Sequence, residues 1–450
     1  MAKVKMQKYL QLLPESYAKL YEQNLLHNWN IEEAWKDVKI NGALSVIDMT
    51  LRDGEQQTGV YFTPEQKLEL FKDMEDVGFH GMEVGFPAVS EDERKACKLI
   101  FDENPRGMNF VMCRTKISDI DAAIEVGAPS INMFTSSSDL HIQYKQKLNR
   151  ESNIEKTLEV CDYVKDHDLR VIFGREDCSR ADISYMCSLI IAVRERLQNN
   201  WAGYGLADTT GSMTPRTTKW WINKVMEEMA KQGHPELFPI GIHCHNDYGL
   251  ATANVIASLE ERCGGLNGTI TGIGERAGNT PIEEVITILQ GLLGIKLKIN
   301  MERLFELAQK VSRYAGVPIP INKPCIGANN FKHESGIHAA GQLAHPHVYE
   351  SIPHQWTGRE SVFRFGKFSG TEVVLKEALE PYGLKPTKAQ LYEIVMEVKR
   401  EQIKIGKEKL EKFVEMYNEV MNSMGMSMEQ VIEIAKLKMK PLEQTQPISK

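Results

Sequence analysis

One rhythm constrains this chain more than any other feature: eight short β-rich runs between residues 46 and 275, each followed by a longer amphipathic run. The short runs are "VIDMTL" (46–51), "GMEVGF" (81–86), "NFVMCRT" (109–115), "INMFTS" (131–136), "RVIFGRE" (170–176), "GYGLADT" (203–209), "IGIHCHN" (240–246) and "TITGIGE" (269–275). Apolar β-branched runs bounded by turn residues read as strands, and apolar residues three and four apart read as helices. "PEQKLELFKDMEDVG" places Leu68, Phe71 and Met74 on one face, and "TTKWWINKVMEEMAKQG" stops at a glycine. Eight consecutive βα units have the size of a TIM barrel, whose sites gather at the C-terminal strand ends. The competing doubly wound open sheet would carry a G-x-G-x-x-G turn after its first strand, and none is there. The expected fold is therefore of the α/β class, a TIM (β/α)8 barrel over residues 44–300.

The flanks lose the rhythm. Residues 1–43, with "MQKYLQLLPESYAKLYEQNLL", read as an N-terminal helical extension. Residues 301–370 read as a linker subdomain rich in Gly, His and Pro, and 371–450 as a mostly helical subdomain whose Lys and Glu form solvated faces. The tail "KPLEQTQPISK" reads as frayed. At 450 residues and 42% hydrophobic, the chain can bury a large core, and its net charge of -7 is spread rather than gathered into a basic face. Nucleic acid is not an expected partner, and no apolar run of 18 residues suggests a membrane span. Eight scattered cysteines without a CxxC pair, and no N-terminal apolar segment, fit a reducing cytoplasm.

The barrel mouth carries the chemistry. Residues i and i+2 of a strand share a face, so His243 and His245 of "GIHCHNDYGLATAN" point one way and Cys244 the other. "TLRDGEQQTG" delivers Arg52, Asp53 and Glu55 at the end of the first strand, which neighbours the last strands once a barrel closes. Two histidines at this spacing are as often core residues as ligands, and Asp53 on the adjoining strand tips the reading toward a divalent cation. Two imidazoles and a carboxylate leave coordination positions open and accept Zn2+, Mn2+, Co2+ or Mg2+. Arg52 is then placed to stabilise an oxyanion forming beside the ion. A second pair, His345 and His347 in "AHPHVYE", is interrupted by Pro346 and reads as a surface loop.

Four segments in order, "DMTLRDGEQQTG", "GIHCHNDYGLATAN", "GIGERAGNTPIEEV" and "HESGIHAAG", resemble the signatures of the DRE-TIM acyl-CoA-condensing enzymes, over residues 44 to 370. "GERAGN" favours the synthases, namely 2-isopropylmalate, homocitrate, citramalate and Re-citrate synthases, over lyases and carboxyltransferases that share only the barrel. The resemblance implies a Claisen condensation of acetyl-CoA with a 2-oxo acid followed by thioester hydrolysis. It implies Asn279 beside the metal, His338 as the base oriented by Glu176, Tyr349 as a polarising group, and Thr209 as a binder of the substrate carboxylate. It also implies a homodimer, with the segment bearing His338 and Tyr349 crossing to the other barrel. The chain departs from the pattern where "IHAAG" lacks an acidic residue and where Phe368 replaces a usual histidine. It ends soon after the helical subdomain, so feedback by leucine is not expected.

Substrate identity rests on charge. A second carboxylate would need a cation, because burying it unpaired is costly. Arg114 and Arg175 end strands at the mouth, and with "EQQTGVYF" they favour a dicarboxylic 2-oxo acid, oxaloacetate first, as in the Re-citrate synthases. 2-Oxoglutarate, as in homocitrate synthases, comes next, then the isopropylmalate and citramalate types. A barrel that keeps its metal but has lost catalysis is the reading from another class, and the intact set of site residues argues against it.

Overall fold

A computed structural model describes residues 2–40, 44–237 and 240–439; the tail from 440 onward lies outside the described residues. Eight parallel strands close into a barrel in chain order: β1 (Ser45–Asp48), β2 (Gly81–Gly85), β3 (Met108–Arg114), β4 (Ser130–Ser136), β5 (Arg170–Glu176), β6 (Trp201–Asp208), β7 (Gly241–Cys244) and β8 (Gly265–Gly268). The pairing of β8 with β1, Ser45 opposite Gly265, completes the ring. The last strand lies earlier than the sequence reading placed it. "TITGIGE" alternates like a strand, but Thr271 and Gly272 take positive φ of 64° and 78° and turn the chain instead.

Two N-terminal helices, α1 (Ala2–Leu10) and α2 (Glu15–Glu22), precede the barrel. Its outer layer is α3 (Pro64–Val77), α4 (Glu91–Asp102), α5 (Ile117–Glu125), α6 (Arg150–Asp166), α7 (Ile183–Leu197), α8 (Pro215–Lys231), α9 (Ala251–Ser258) and α10 (Ile282–Gly291). Thr63 caps α3 in a reciprocal capping box with Gln66, and Pro64 opens the helix, so its start is fixed locally. Helix α3 buries Leu70, Phe71 and Met74, while Leu68 sits at the edge of that face. The helix α11 (Met301–Ala315) puts Leu304, Leu307, Ala308 and Val311 into the same core, so the barrel's packing runs past the expected boundary at residue 300.

Behind it come α12 (Gly336–Ala344), α13 (Lys388–Ile405), α14 (Glu408–Asn422) and α15 (Met428–Lys438). Tyr17 of α2 donates to the buried carboxylate of Glu350 at 3.0 Å, and the Trp356 indole donates to the Leu12 carbonyl at 3.0 Å. The N-terminal helices thereby clamp the segment behind the barrel. His345 and His347 lie under this clamp, on a short turn with the Tyr17 ring tilted over His347 at 4.3 Å. All eight cysteines are buried and unpaired. Among the described residues, no helix is long and apolar enough to cross a membrane.

Candidate active site

The turn after β1 is set by Asp48, whose buried carboxylate accepts from the Thr50 amide at 2.8 Å and hydroxyl at 2.9 Å. Burial pushes that carboxyl up to about 7. Thr50 Oγ1 in turn accepts from the Ile270 amide at 2.8 Å, which ties the turn after β1 to the one after β8. Arg52 and Asp53 therefore stand at a fixed place beside His243, next to the end of β7.

Asp53 Oδ2 lies 3.1 Å from His243 Nε2, and the two imidazole Nε2 atoms lie 3.3 Å apart. One donor atom from each of these residues falls within 4.8 Å of the others. Burial works to raise the Asp53 carboxyl, but the Arg52 charge and the two histidines hold it well below the usual range. Burial first, and His243 second, push His245 down to about 4. The set is thus an ionised carboxylate with a neutral imidazole facing it, the charge state a divalent cation requires. Nδ1 of both histidines and Oδ1 of Asn279 are buried without partners among the described residues, and Asn279 bridges His245 through the backbone. The donor set fits a divalent cation held by Asp53, His243 and His245.

Arg52 is fastened rather than free. Its Nε donates to Glu83 at 2.6 Å and Nη2 lies 2.5 Å from the same oxygen, while Nη1 reaches Gln56 at 3.3 Å and Asp53 at 3.4 Å. Glu83 is fully buried, and its other oxygen accepts from Asn132 at 2.8 Å. The sequence reading missed Glu83 and Asn132; the available signal was an acidic residue inside the apolar run "GMEVG". Glu55, expected at the mouth, turns away to the buried Lys67 at 2.6 Å, which also binds Glu93 at 2.5 Å. A buried ammonium needs both carboxylates, and it captures Glu55.

The mouth opens into a cavity of about 730 Å³. Glu176 and Thr209 line it. Glu176 accepts from Ser136 at 2.7 Å and Lys145 at 2.6 Å, with His141 Nδ1 at 3.4 Å. Burial raises its carboxyl, yet Lys145 and Ser136 bring it below the ordinary value. His141 and Lys145 were also missed, although their i, i+4 spacing after β4 puts both beside β5. Thr209 Oγ1 accepts from the Asp177 amide at 2.9 Å, and its carbonyl accepts from Arg276 at 2.6 Å.

The two arginines expected to face a second substrate carboxylate stand elsewhere. Arg114 forms a bidentate pair with Asp119 at 2.8 and 2.9 Å, one helical turn further on, and is half-exposed. Arg175 is one residue out of phase with the lumen-facing Gly174 and Glu176. Its buried guanidinium lies on the helix side of β5, 4.9 Å from the Phe173 ring, with one bond to the Ser136 carbonyl. Burial lowers it to about 10. His338 is exposed on α12 and stacks on Tyr349 at 4.2 Å, and neither lines the cavity. A single chain therefore brings together Arg52, Asp53, Glu176, Thr209, His243, His245 and Asn279, but not His338 and Tyr349.

The HMGL-like family model matches residues 43–311, and the "homocitrate synthase post-HMGL domain-like" model matches 325–404. The chain is 36% identical over 392 residues to the homocitrate synthase AksA of Methanopyrus kandleri, covering 85% of this chain and 95% of that protein. It is 37% identical over 372 residues to a 2-isopropylmalate synthase of Methanocaldococcus jannaschii, covering 82% and 70%. The hydroxymethylglutaryl-CoA lyase of Pseudomonas aeruginosa shares the fold, with a TM-score of 0.54 at 21% identity over 62% of this chain and 95% of the lyase. The turn bearing Arg52 and Asp53, the closed barrel and the segment behind it agree with these matches: the chain belongs to the HMGL-like family and, within it, to the DRE-TIM acyl-CoA-condensing enzymes.

Proposed function

We propose that the protein condenses acetyl-CoA with the ketone of a 2-oxo acid and hydrolyses the thioester, releasing CoA and a 2-hydroxy dicarboxylic acid. The observation that carries this reading is the convergence of Asp53, His243 and His245 beside a guanidinium already fixed by Glu83. A divalent cation held there would supply Lewis acidity toward the ketone. Arg52 stabilises the charge that develops on the ketone oxygen as the carbon–carbon bond forms. Thr209, whose Oγ1 already accepts from Asp177, keeps its hydroxyl proton for the substrate carboxylate. His338 takes the methyl proton of acetyl-CoA and Glu176 orients it. Their separation within one chain supports a second copy as the source of His338, and hence a homodimer with shared sites.

For the acid, oxaloacetate rested on Arg114 and Arg175; Arg114 is paired with Asp119, and Arg175, though it borders the cavity, turns its guanidinium to the helix side of β5 against Phe173. The cations that do line the cavity mouth beside Glu176 and Thr209 are also paired, Lys145 with Glu176 and Arg276 with Asp247. This supports a 2-oxo monocarboxylate, as in the isopropylmalate and citramalate types. 2-Oxoglutarate is the second reading, favoured by the similarity to homocitrate synthase AksA. The test is CoA release from acetyl-CoA against a panel of 2-oxo acids. A preference for oxaloacetate or 2-oxoglutarate over 2-oxoisovalerate and 2-oxobutyrate would refute the monocarboxylate reading, and no release with any acid would refute the condensation.

A further inference from the structure

TIM barrels fill their interior with layers of bulky side chains, the branched aliphatic ones above all. Here one side of a layer is missing. In the strand register Gly174 of β5 pairs with Gly205 of β6, Gly205 with Gly241 of β7, Gly241 with Gly265 of β8, and Gly265 with Ser45 of β1. Four glycines and a serine thus stand side by side across five adjacent strands. A methyl added at Gly174 would meet Asn132 Oδ1 at 2.5 Å and one at Gly265 the Gly241 Cα at 3.0 Å, whereas at Gly205 it would meet nothing within 4 Å and at Gly241 nothing closer than 3.5 Å, so the open stretch of the row is Gly205 and Gly241. Neither has a positive φ, so the backbone does not ask for glycine at these places. Glycine in a strand interior weakens it and marks a place where something else comes close.

The row has a definite position relative to the site. Gly241 precedes His243 by two residues on the same strand and face, about 7 Å deeper along the barrel. Gly205 lies two residues below Ala207, the neighbour of His243. The lumen around the row is mostly apolar, with Ile47, Phe110, Met112 and Ile172 lining the same cavity beside Asn132 and Asn267, and it continues to Ser45 and Met108 at the strand beginnings. The basic residues that line it, Arg52, Lys145, Arg175 and Arg276, lie in or beside the C-terminal ends of the strands.

We infer that this glycine row receives the tail of the 2-oxo acid and sets its length: the substrate class is unbranched 2-oxo acids of about six to eight carbons with an uncharged end. The inference rests on the condensation reading, since a cation at Asp53, His243 and His245 would hold the ketone, with Thr209 at the carboxylate, and so aim the tail downward. An extended alkyl chain with 1.5 Å bonds advances about 1.3 Å per carbon, so about five carbons beyond the ketone span the 7 Å to the row. Each methylene buried against the apolar wall should strengthen use of the substrate by about fourfold, the factor that corresponds to about 0.8 kcal/mol.

The experiment compares kcat/KM for 2-oxobutyrate, 2-oxohexanoate and 2-oxooctanoate in wild type, Gly205→Ala and Gly205→Leu. Binding of 2-oxooctanoate to the metal-loaded proteins is measured by calorimetry, and folding by thermal unfolding. The expected result is a wild type that uses 2-oxooctanoate at least as well as 2-oxobutyrate. Gly205→Leu should lower the ratio of the two by about 30-fold or more, roughly what two to three lost methylene contacts amount to, with a smaller step in Gly205→Ala. If Gly205→Leu does not fold, the Ala variant and the wild-type length series decide. A wild type that rejects acids longer than 2-oxovalerate, or substitutions that leave the ratio unchanged, overturns the inference. So does a loss confined to longer acyl-CoA donors, which would put the acyl chain in the lumen. If no acid releases CoA while 2-oxooctanoate binds the wild type and not Gly205→Leu, the lumen assignment stands and the condensation reading falls.

Discussion

Replacing Glu83 by Gln tests how much of the site depends on holding Arg52 still. The glutamate carries both short contacts to the guanidinium, 2.6 Å from Nε and 2.5 Å from Nη2, whereas Gln56 and Asp53 stand back at 3.3 and 3.4 Å. Two unit charges about 4 Å apart at an effective dielectric near 20 attract by about 4 kcal/mol, and breaking one half of a buried pair typically costs about 3–5 kcal/mol. Glutamine keeps one neutral hydrogen bond worth about 1 kcal/mol, so the net loss of stability should be about 2–4 kcal/mol. The freed guanidinium should then lean on Asp53, its remaining acidic neighbour, and leave the position from which, in the proposed reaction, it meets the developing oxyanion. Loss of such a donor typically costs about 10²–10³ in rate. Urea unfolding and kcat/KM with the preferred 2-oxo acid measure the two effects separately. In the double variant Arg52→Gln with Glu83→Gln both charges are gone, so stability should return toward wild type while activity does not. Turnover of Glu83→Gln within about threefold of wild type would refute the reasoning, because Arg52 would then be positioned by something other than Glu83.

Further outcomes follow from the same geometry. Asp53→Ala and His243→Ala should lose bound metal, measured by elemental analysis, and all turnover while remaining folded, since Asp53 lies in the turn after β1 and His243 next to the end of β7, both at the cavity mouth; stoichiometric metal with full activity in either would dismiss the site. Mixing inactive Asp53→Ala and His338→Ala chains should restore part of the activity in heterodimers, and absence of rescue despite proven subunit exchange would place the whole site within one chain. Burial works to raise the Glu350 carboxyl, but His333, His354 and Ser361 hold it down to about 2. A depressed carboxyl contributes stability that is present above its ordinary value and lost as pH falls through the folded one. The gap in urea midpoint between wild type and Glu350→Gln should therefore narrow from pH 5 toward pH 2, and a gap constant over that range would show that the carboxylate charge contributes nothing.

The barrel was legible because each strand repeats one physical signature, a short β-branched run closed by turn residues, and eight such runs leave few architectures open. Its failure at β8 has a local cause: the true strand, "GLNG", is short and ends in glycine, and the better-looking alternation beside it contains Thr271 in a left-handed conformation. The clustering of His243 and His245 beside Asp53 was legible because i, i+2 spacing on a strand fixes a shared face. Strand parity also held the evidence against Arg175, since it follows Gly174 and precedes Glu176 and cannot share their side. Arg114 has lumen parity with Phe110 and Met112, and its loss to Asp119 depends on where α5 begins, which no alternation pattern records. Glu83 and Lys145 escaped because each acts on a residue from a different strand.

The eight buried cysteines bear on how this protein can be assayed. Burial pushes the thiols up, Cys178 to about 11 and Cys263 to about 12, so at neutral pH almost none is a thiolate, the form that reacts. A colorimetric disulfide reagent added to the folded protein should therefore register the CoA sulfhydryl alone, with no blank from the enzyme. The same reagent becomes a counter of unfolded chains once denaturant is present, because each one that opens presents eight reactive sulfurs together.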